Sequence, residues 1–349
     1  MKQQDNTVRE HLSNKLALLQ QQSSYPKIAQ LITSSLKQNS SKVNRQVFGY
    51  IPKLFREIKI DNWHQKIINS SSLPIAEPIV YQIYFPNNQT MKGIPYFYLF
   101  CYLKDQSRNL NVYFQSAAKI SDSLTPEDYI LSKEKIAFEG LISAFTEEES
   151  VICISDPGHF IPRLKSSFYV GTKKINFAGF IANVVENISN AAQINLENTF
   201  LFGSSAGGMG ALLSSTYFSE KVQVLAVNTQ VYTHDLSRVM RILLGTQDRE
   251  TLVKQFGDRV SCLHRFKQNL KQVPNIYLLV NVNDNLYQRN YKFYQLYQKL
   301  FVSKNQGNQS IFDSYCGVEG HGRPDRHSLK KKIRIARESL CMKANLVEH

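Results

Sequence analysis

Short runs of β-branched and aromatic residues recur along the chain from residue 79 onward, each bounded by polar or small residues. The runs "IVYQIYF" (79–85), "YFYLFCYL" (96–103), "LNVYF" (110–114), "VICIS" (151–155) and "TFLFG" (199–203) predict strands. So do "VQVLAVN" (222–228), "NIYLLVNV" (275–282) and "SIFDSYCG" (310–317). Apolar residues at helical spacing fall between them, in 175–192, in "GGMGALLSSTYF" after the 199–203 strand, and in 236–244, 249–256 and 291–301. The basic stretch "HSLKKKIRIARESLCMKANL" closes the chain as another helix. Strands alternating with helices predict an α/β class chain: a mostly parallel sheet with helices on both faces.

The first 72 residues follow a different pattern. They hold no glycine before Gly49 and are rich in Gln, Asn, Ser and Lys. Leu12, Leu16, Leu18 and Leu19, then Ile28, Leu31, Ile32 and Leu36, recur at helical spacing. The expectation is a helical appendage or cap over 1–72, a connector near "INSSSLPIAEP" (68–78), and an α/β domain over 73–349.

Composition narrows the picture. At 349 residues with 42% hydrophobic content, the chain is long and apolar enough for a large folded core. The five cysteines, Cys101, Cys153, Cys262, Cys316 and Cys341, form no CxxC pair, which argues against a zinc site or a disulfide frame and for buried thiols in a reducing compartment. The N-terminus lacks the apolar core of a signal peptide, and the longest apolar run, Ile94–Leu103, is too short to span a bilayer. A cytoplasmic protein without a transmembrane segment is expected, with peripheral membrane contact left open. The net charge of +14 either marks an acidic partner, such as an anionic glycan, a membrane face or the phosphates of coenzyme A, or serves solubility alone. Nucleic acid is not expected: the Lys330, Lys331, Lys332, Arg334 and Arg337 cluster reads as a solvated helix face, and no zinc pattern, RNP-like string or helix-turn-helix accompanies it.

The candidate chemistry lies in "TFLFGSSAGGMGALLSS" (199–215), where a buried strand turns directly into a helix. A serine on such a turn is exposed as a nucleophile, provided that the residues two before and two after it are small. Ser205 meets the condition with Gly203 and Gly207; Ser204 would have Phe202 and Ala206 there. Neither GxxxxGK[ST] nor GxGxxG fits these glycines, so a phosphate loop is the weaker reading. A serine needs a base, and the base an orienting acid, in the chain order Ser, acid, His. Asp284 just past "IYLLVNV" and His321 in "EGHGRP" past the last strand supply them. Asp235 is a rival acid better read as a helix cap, Glu319 is too near His321 in sequence, and His327 begins a helix. An oxyanion would be held by the backbone N–H of Ala206 and by one from the loop after "NVYF", at Ser116 or Ala117. His159 in "SDPGHF", Gln230 and Ser204 are candidates for lining the pocket.

With "GSSAG", Asp284 and "GHG" in this order, residues 79–349 resemble the α/β-hydrolase superfamily. Two features depart from it: "FQSAA" stands where lipases and esterases carry a His-Gly string, and the acid loop "NVNDNLYQ" is rich in Asn. A narrower resemblance, carried by "SDPGHF", "FYVGTKK", "FGSSAGGMGAL" and "VLAVNTQVYTHD", is to bacterial proteins of this fold encoded with capsule and surface-polysaccharide assembly, glycan O-acetyltransferases among them.

The expected activity is serine-dependent acyl transfer. The resemblance and the charge favour an O-acetyltransferase that uses acetyl-CoA as donor, with no tightly bound cofactor and no metal. The triad is the same if water accepts the acyl group, which would make an esterase or deacetylase. A non-catalytic binding protein in polysaccharide assembly is the third reading. Expected partners are a glycan or small ester and polysaccharide-assembly proteins.

Overall fold

Runs such as Leu110–Phe114 and Gln223–Val227 are buried along their whole length, so both faces of these strands need cover. The computed structural model, which describes residues 55–61, 73–86, 96–117, 138–161, 164–303, 308–317 and 320–341, supplies it. Among the described residues, nine strands form one sheet: β1 (Arg56–Ile60), β2 (Pro78–Tyr84), β3 (Tyr96–Tyr102), β4 (Leu110–Phe114), β5 (Ser150–Ile154), β6 (Thr199–Ser204), β7 (Gln223–Val227), β8 (Asn275–Asn281) and β9 (Ser310–Tyr315). Their order is β1-β2-β3-β5-β4-β6-β7-β8-β9. Only β3 runs against its neighbours; every other pairing is parallel.

Side chains alternate between two cores, as the strand period of two requires. Val112 and Phe114 of β4 point into the larger core and Tyr113 into the smaller. The larger core is roofed by α2 (Phe177–Ala191), α3 (Ala206–Ser214), α4 (Ser237–Leu244), α5 (Arg249–Val260), α6 (Cys262–Gln268) and α7 (Tyr287–Tyr297). The smaller is closed by α1 (Leu141–Thr146) and α8 (Arg326–Cys341). Helix α2 shows the logic of the pattern. Asn176 caps it by accepting from the Gly179 N–H at 3.2 Å, and Phe177, Ile181, Val184, Val185 and Ile188 form its buried stripe.

Register sets the working edge. Phe114 pairs with Gly203, Gly203 with Ala226, Ser204 with Val227, and Val227 with Leu279. The carboxyl ends of β4, β6, β7 and β8 therefore lie level, and the loops leaving them meet at one edge.

Within the stretch expected as a helical appendage, Arg56–Ile60 is instead an edge strand, paired in parallel with β2. Its exposed Arg56, Glu57 and Lys59 read as polar appendage in the sequence, whereas charge is what protects a sheet edge from further pairing. The remainder of the appendage (1–54 and 62–72) lies outside the described residues. Cys101, Cys153 and Cys262 are buried free thiols, with burial pushing Cys101 up to about 12; Cys316 is exposed. Among the described residues, no helix is long and apolar enough to cross a membrane.

Candidate active site

Ser205 is the single residue between the end of β6 and the start of α3. Its backbone lies at φ 52° and ψ −117°, a region costing a non-glycine residue about 1–3 kcal/mol. The turn is held from several sides. The Ser205 N–H donates to the Val227 carbonyl at 2.9 Å, and its carbonyl accepts from the Gln230 N–H at 3.2 Å and the Met209 N–H at 3.3 Å. The glycines are required by close approach. A Cβ on Gly203 would lie 2.2 Å from the Gly207 backbone, and one on Gly207 would lie 2.3 Å from the Phe114 carbonyl oxygen. A Cβ on Gly210 would meet the Tyr169 ring at 2.3 Å, so α3 sits as close to its neighbours as glycine permits.

Three residues far apart in sequence meet here. His321 Nε2 lies 2.8 Å from Ser205 Oγ, and His321 Nδ1 lies 2.8 Å from Asp284 Oδ2. With the carboxylate accepting at Nδ1, that nitrogen carries the proton and Nε2 is free to accept from the serine hydroxyl. The Asp284 side chain is fully buried, and its other oxygen accepts from the Leu286 N–H at 2.8 Å. The His321 ring is half exposed.

The loop carrying His321 is fastened on both sides of the ring. Asn281 Nδ2 donates to the Gly320 carbonyl at 3.0 Å, and Asn228 Nδ2 and Tyr315 Oη donate to the Gly322 carbonyl at 2.9 and 2.5 Å. Burial raises the Tyr315 phenol above its ordinary value, so it keeps its proton and donates. Asn228 stands at φ 44° and also accepts from the Asn281 N–H at 2.7 Å, joining β7 and β8 to this loop. Asn228 and Asn281 have no catalytic signature in the sequence. The Asn-rich departure of the acid loop and the "VNTQ" block were the available signals.

Two further segments converge. The Gln115 carbonyl accepts from Tyr169 Oη at 3.0 Å, and the Gln115 side chain accepts from the Asp156 N–H at 3.0 Å. The next N–H, of Ser116, donates to Glu139 Oε2 at 2.8 Å. Ser116 was expected as an oxyanion donor, but this N–H is committed to a carboxylate. The N–H of Ala117 and that of Ala206, the first residue of α3, are the candidate donors left, since a helix's first N–H groups have no intrahelical partner.

The expected pocket residues divide. Gln230 flanks the nucleophile through its backbone, while its side chain accepts from Arg289 at 3.1 Å. Arg289 also pairs with Asp235 at 3.0 Å and lies over the Tyr232 ring at 4.3 Å. Asp235 thus holds an arginine rather than the histidine, and it does not cap α4, which starts after Leu236 without a side-chain cap. Ser204 is buried, its Oγ 2.7 Å from Ser116 Oγ, so it faces neighbouring protein and not the nucleophile's side of the turn. His159 lies in the 3-10 turn Pro157–Phe160 after β5. His327 is in the first turn of α8, and Glu319 lies outside the described residues. Among the described residues, no cluster of His, Cys, Asp or Glu is arranged to hold a metal ion.

No family model matches the sequence, and no curated protein matches it. Solved structures do. The chain is similar to the capsule O-acetyltransferase of Neisseria meningitidis serogroup A, with a TM-score of 0.50 at 16% identity, over 71% of this chain and 97% of that one. The chain has the α/β-hydrolase fold. A variant of the same enzyme in complex with CoA gives a TM-score of 0.50 at 15% identity, over 70% of this chain and 93% of that one. Esterase B of Lactobacillus rhamnosis gives 0.48 at 12% identity, over 81% of this chain and 92% of that one. Within the α/β-hydrolase frame, a serine on the strand-to-helix elbow is where a nucleophile stands, with acid and histidine following in chain order.

Proposed function

We propose that this protein is a serine acyltransferase that moves an acetyl group from acetyl-CoA to a hydroxyl of a bacterial surface polysaccharide. The observation that carries the acyl-transfer reading is the pair of 2.8 Å contacts linking Ser205 to His321 and His321 to Asp284.

In the proposed reaction, Ser205 Oγ attacks the thioester carbonyl carbon while its proton passes to His321 Nε2. Asp284 stabilises the imidazolium, and the Ala206 and Ala117 N–H groups receive the oxyanion. The C–S bond breaks, the thiolate takes the proton from His321, and acetyl-Ser205 remains. A sugar hydroxyl then attacks the acetyl carbon, giving its proton to His321. Collapse returns that proton to Ser205 and releases the acetylated sugar.

Acetyl-CoA and a glycan are supported as donor and acceptor by two features. The chain carries a net charge of +14, suited to anionic partners, and a fold neighbour is a capsule O-acetyltransferase solved with CoA in one variant. The test is incubation of the purified protein with acetyl-CoA, with and without candidate polysaccharides. Acetyl ester appearing on the glycan is the expected result; free acetate released regardless of acceptor would make the protein an esterase or thioesterase. A fluorophosphonate probe checks the nucleophile. Labelling is expected to survive Ser204→Ala and to vanish in Ser205→Ala. A wild-type protein that neither labels nor consumes acetyl-CoA would leave a binding role in polysaccharide assembly.

A further inference from the structure

The carboxylate of Glu139 sits among three segments of the site. It precedes α1, and its direction is set by Gly140 at φ 83°, where a Cβ would lie 2.2 Å from the Tyr113 ring. The Glu139 side chain is only 12% exposed. Its Oε2 accepts from the Ser116 N–H at 2.8 Å and from the Ser116 hydroxyl at 2.5 Å. Its Oε1 accepts from the Ser204 hydroxyl at 3.2 Å and from the Arg323 guanidinium. Ser116 Oγ and Ser204 Oγ are 2.7 Å apart. Proton bookkeeping closes: the Ser116 proton goes to Glu139, and the Ser204 proton is shared between Ser116 Oγ and Glu139 Oε1.

A largely buried carboxylate is tolerated where donors surround it, and here each donor belongs to a different part of the site. Ser116 is in the oxyanion loop after β4, Ser204 adjoins Ser205, and Arg323 is two residues beyond His321. Tyr169 holds the carbonyl of the Gln115–Ser116 peptide while Glu139 holds its N–H, so that planar unit cannot rotate. The next N–H along the chain, of Ala117, starts from that fixed plane and turns only about the φ and ψ of Ser116, whose hydroxyl Glu139 also holds.

We propose that Glu139 is a positioning residue, which locks the oxyanion loop to the nucleophile turn and, through Arg323, to the loop carrying His321. Its kinetic arm rests on the acyl-transfer reading; its structural arm does not.

The experiment compares Glu139→Gln, Glu139→Ala and Arg323→Ala with wild type. Amide hydrogen exchange at Ser116 is read by NMR. Exchange at Ser116 is expected to rise about tenfold or more in Glu139→Ala, where the N–H loses its acceptor. It should also rise in Arg323→Ala, although Arg323 does not touch that N–H. In ester hydrolysis, Glu139→Ala is expected to lower kcat about 10–100-fold with KM within about twofold, because the oxyanion contact is made in the transition state. Glu139→Gln, which keeps one acceptor oxygen, should recover part of the loss. Thermal melts taken alongside separate this from unfolding: a kcat loss that follows melting alone overturns the proposal. So does a Glu139→Ala kcat within twofold of wild type, or Ser116 exchange indifferent to Arg323→Ala. If wild type shows no Ser205-dependent turnover, the acyl-transfer reading fails, and the exchange data still decide whether the clamp exists.

Discussion

Ser205 differs from Ser204 by one position and by everything around it. Ser204 ends a strand with its hydroxyl among Ser116 and Glu139, while Ser205 takes the strained φ of 52° and turns its hydroxyl to His321. The sequence separated them by the size of their neighbours alone, and the glycine contacts give that rule its reason. Any side chain at 203 would strike Gly207, and any at 207 would strike the end of β4. At the same scale Asp284 has one role the geometry makes specific, which is to hold the Nδ1 proton. Replacing it with Asn offers His321 an amide of nearly the same shape that can present a donor to Nδ1 and favour the wrong tautomer. We expect Asp284→Asn to lower kcat for ester hydrolysis by about 10³–10⁴-fold while leaving the melting temperature nearly unchanged. Steady-state kinetics with a chromogenic acetyl ester, beside a thermal melt, checks both.

Among elements, the segment after β5 had a signature without a visible job. "SDPGHF" and "FYVGTKK" stood out in the sequence, yet neither supplies a triad member. Asp156 is buried and accepts from the N–H groups of Gly158 and Ser167, at 2.7 and 3.0 Å, and from the hydroxyls of Ser166 and Ser167. That carboxylate pins the loop in which Phe168 and Tyr169 both adopt positive φ, at 51° and 59°, which bulky residues do only under constraint. The outcome is Tyr169, fully buried against α3 and Phe114, with its hydroxyl on the Gln115 carbonyl. Burial raises this phenol well above its ordinary value, so it remains a donor. Tyr169→Phe keeps the ring and removes the bond, leaving a carbonyl with one partner fewer. We expect a loss of about 0.5–1.5 kcal/mol in denaturant unfolding, with a larger fractional effect on kcat than on KM. The strand β1 was missed for the opposite reason: its pattern is that of an exposed edge, and edges look like loops to any rule based on burial.

For the whole molecule, charge is the property most open to test. Part of the basic α8 face is engaged internally: Lys332 with Asp313, Arg337 with Glu149 and Asn111, and Arg334 with Glu338 at 3.8 Å. Lys332 and Arg337 tie the closing helix to β9 and to the β4–β5 side of the sheet, Arg334–Glu338 is a pair within the helix itself, and the large positive excess of the chain is left to act at longer range. If the acceptor is anionic, kcat/KM for glycan acetylation should fall several-fold between about 0.05 and 0.5 M salt, as the screening length shrinks to a few ångströms. Hydrolysis of a small neutral ester measured in the same buffers should stay nearly flat. A salt-independent glycan reaction would assign the charge to solubility instead.

The sequence by itself determined the alternation of strands and helices, the eight strands from residue 79 onward, and the order of serine, acid and histidine. These are local: burial on both faces writes continuous apolar runs, and a strand-to-helix elbow demands glycine two residues to either side. Only the tertiary structure decided that β3 runs against its neighbours, that residues 56–60 extend the sheet, and that Asp235 serves Arg289 while Asp284 serves His321. It alone revealed the Asn228, Asn281 and Tyr315 bonds around His321 and the Glu139 carboxylate on the Ser116 N–H. The physical reason is the same in each case. Hydrogen-bond partners and strand direction are set by which chain ends meet in space, and side chains drawn together from separate elements leave no periodic trace of having met.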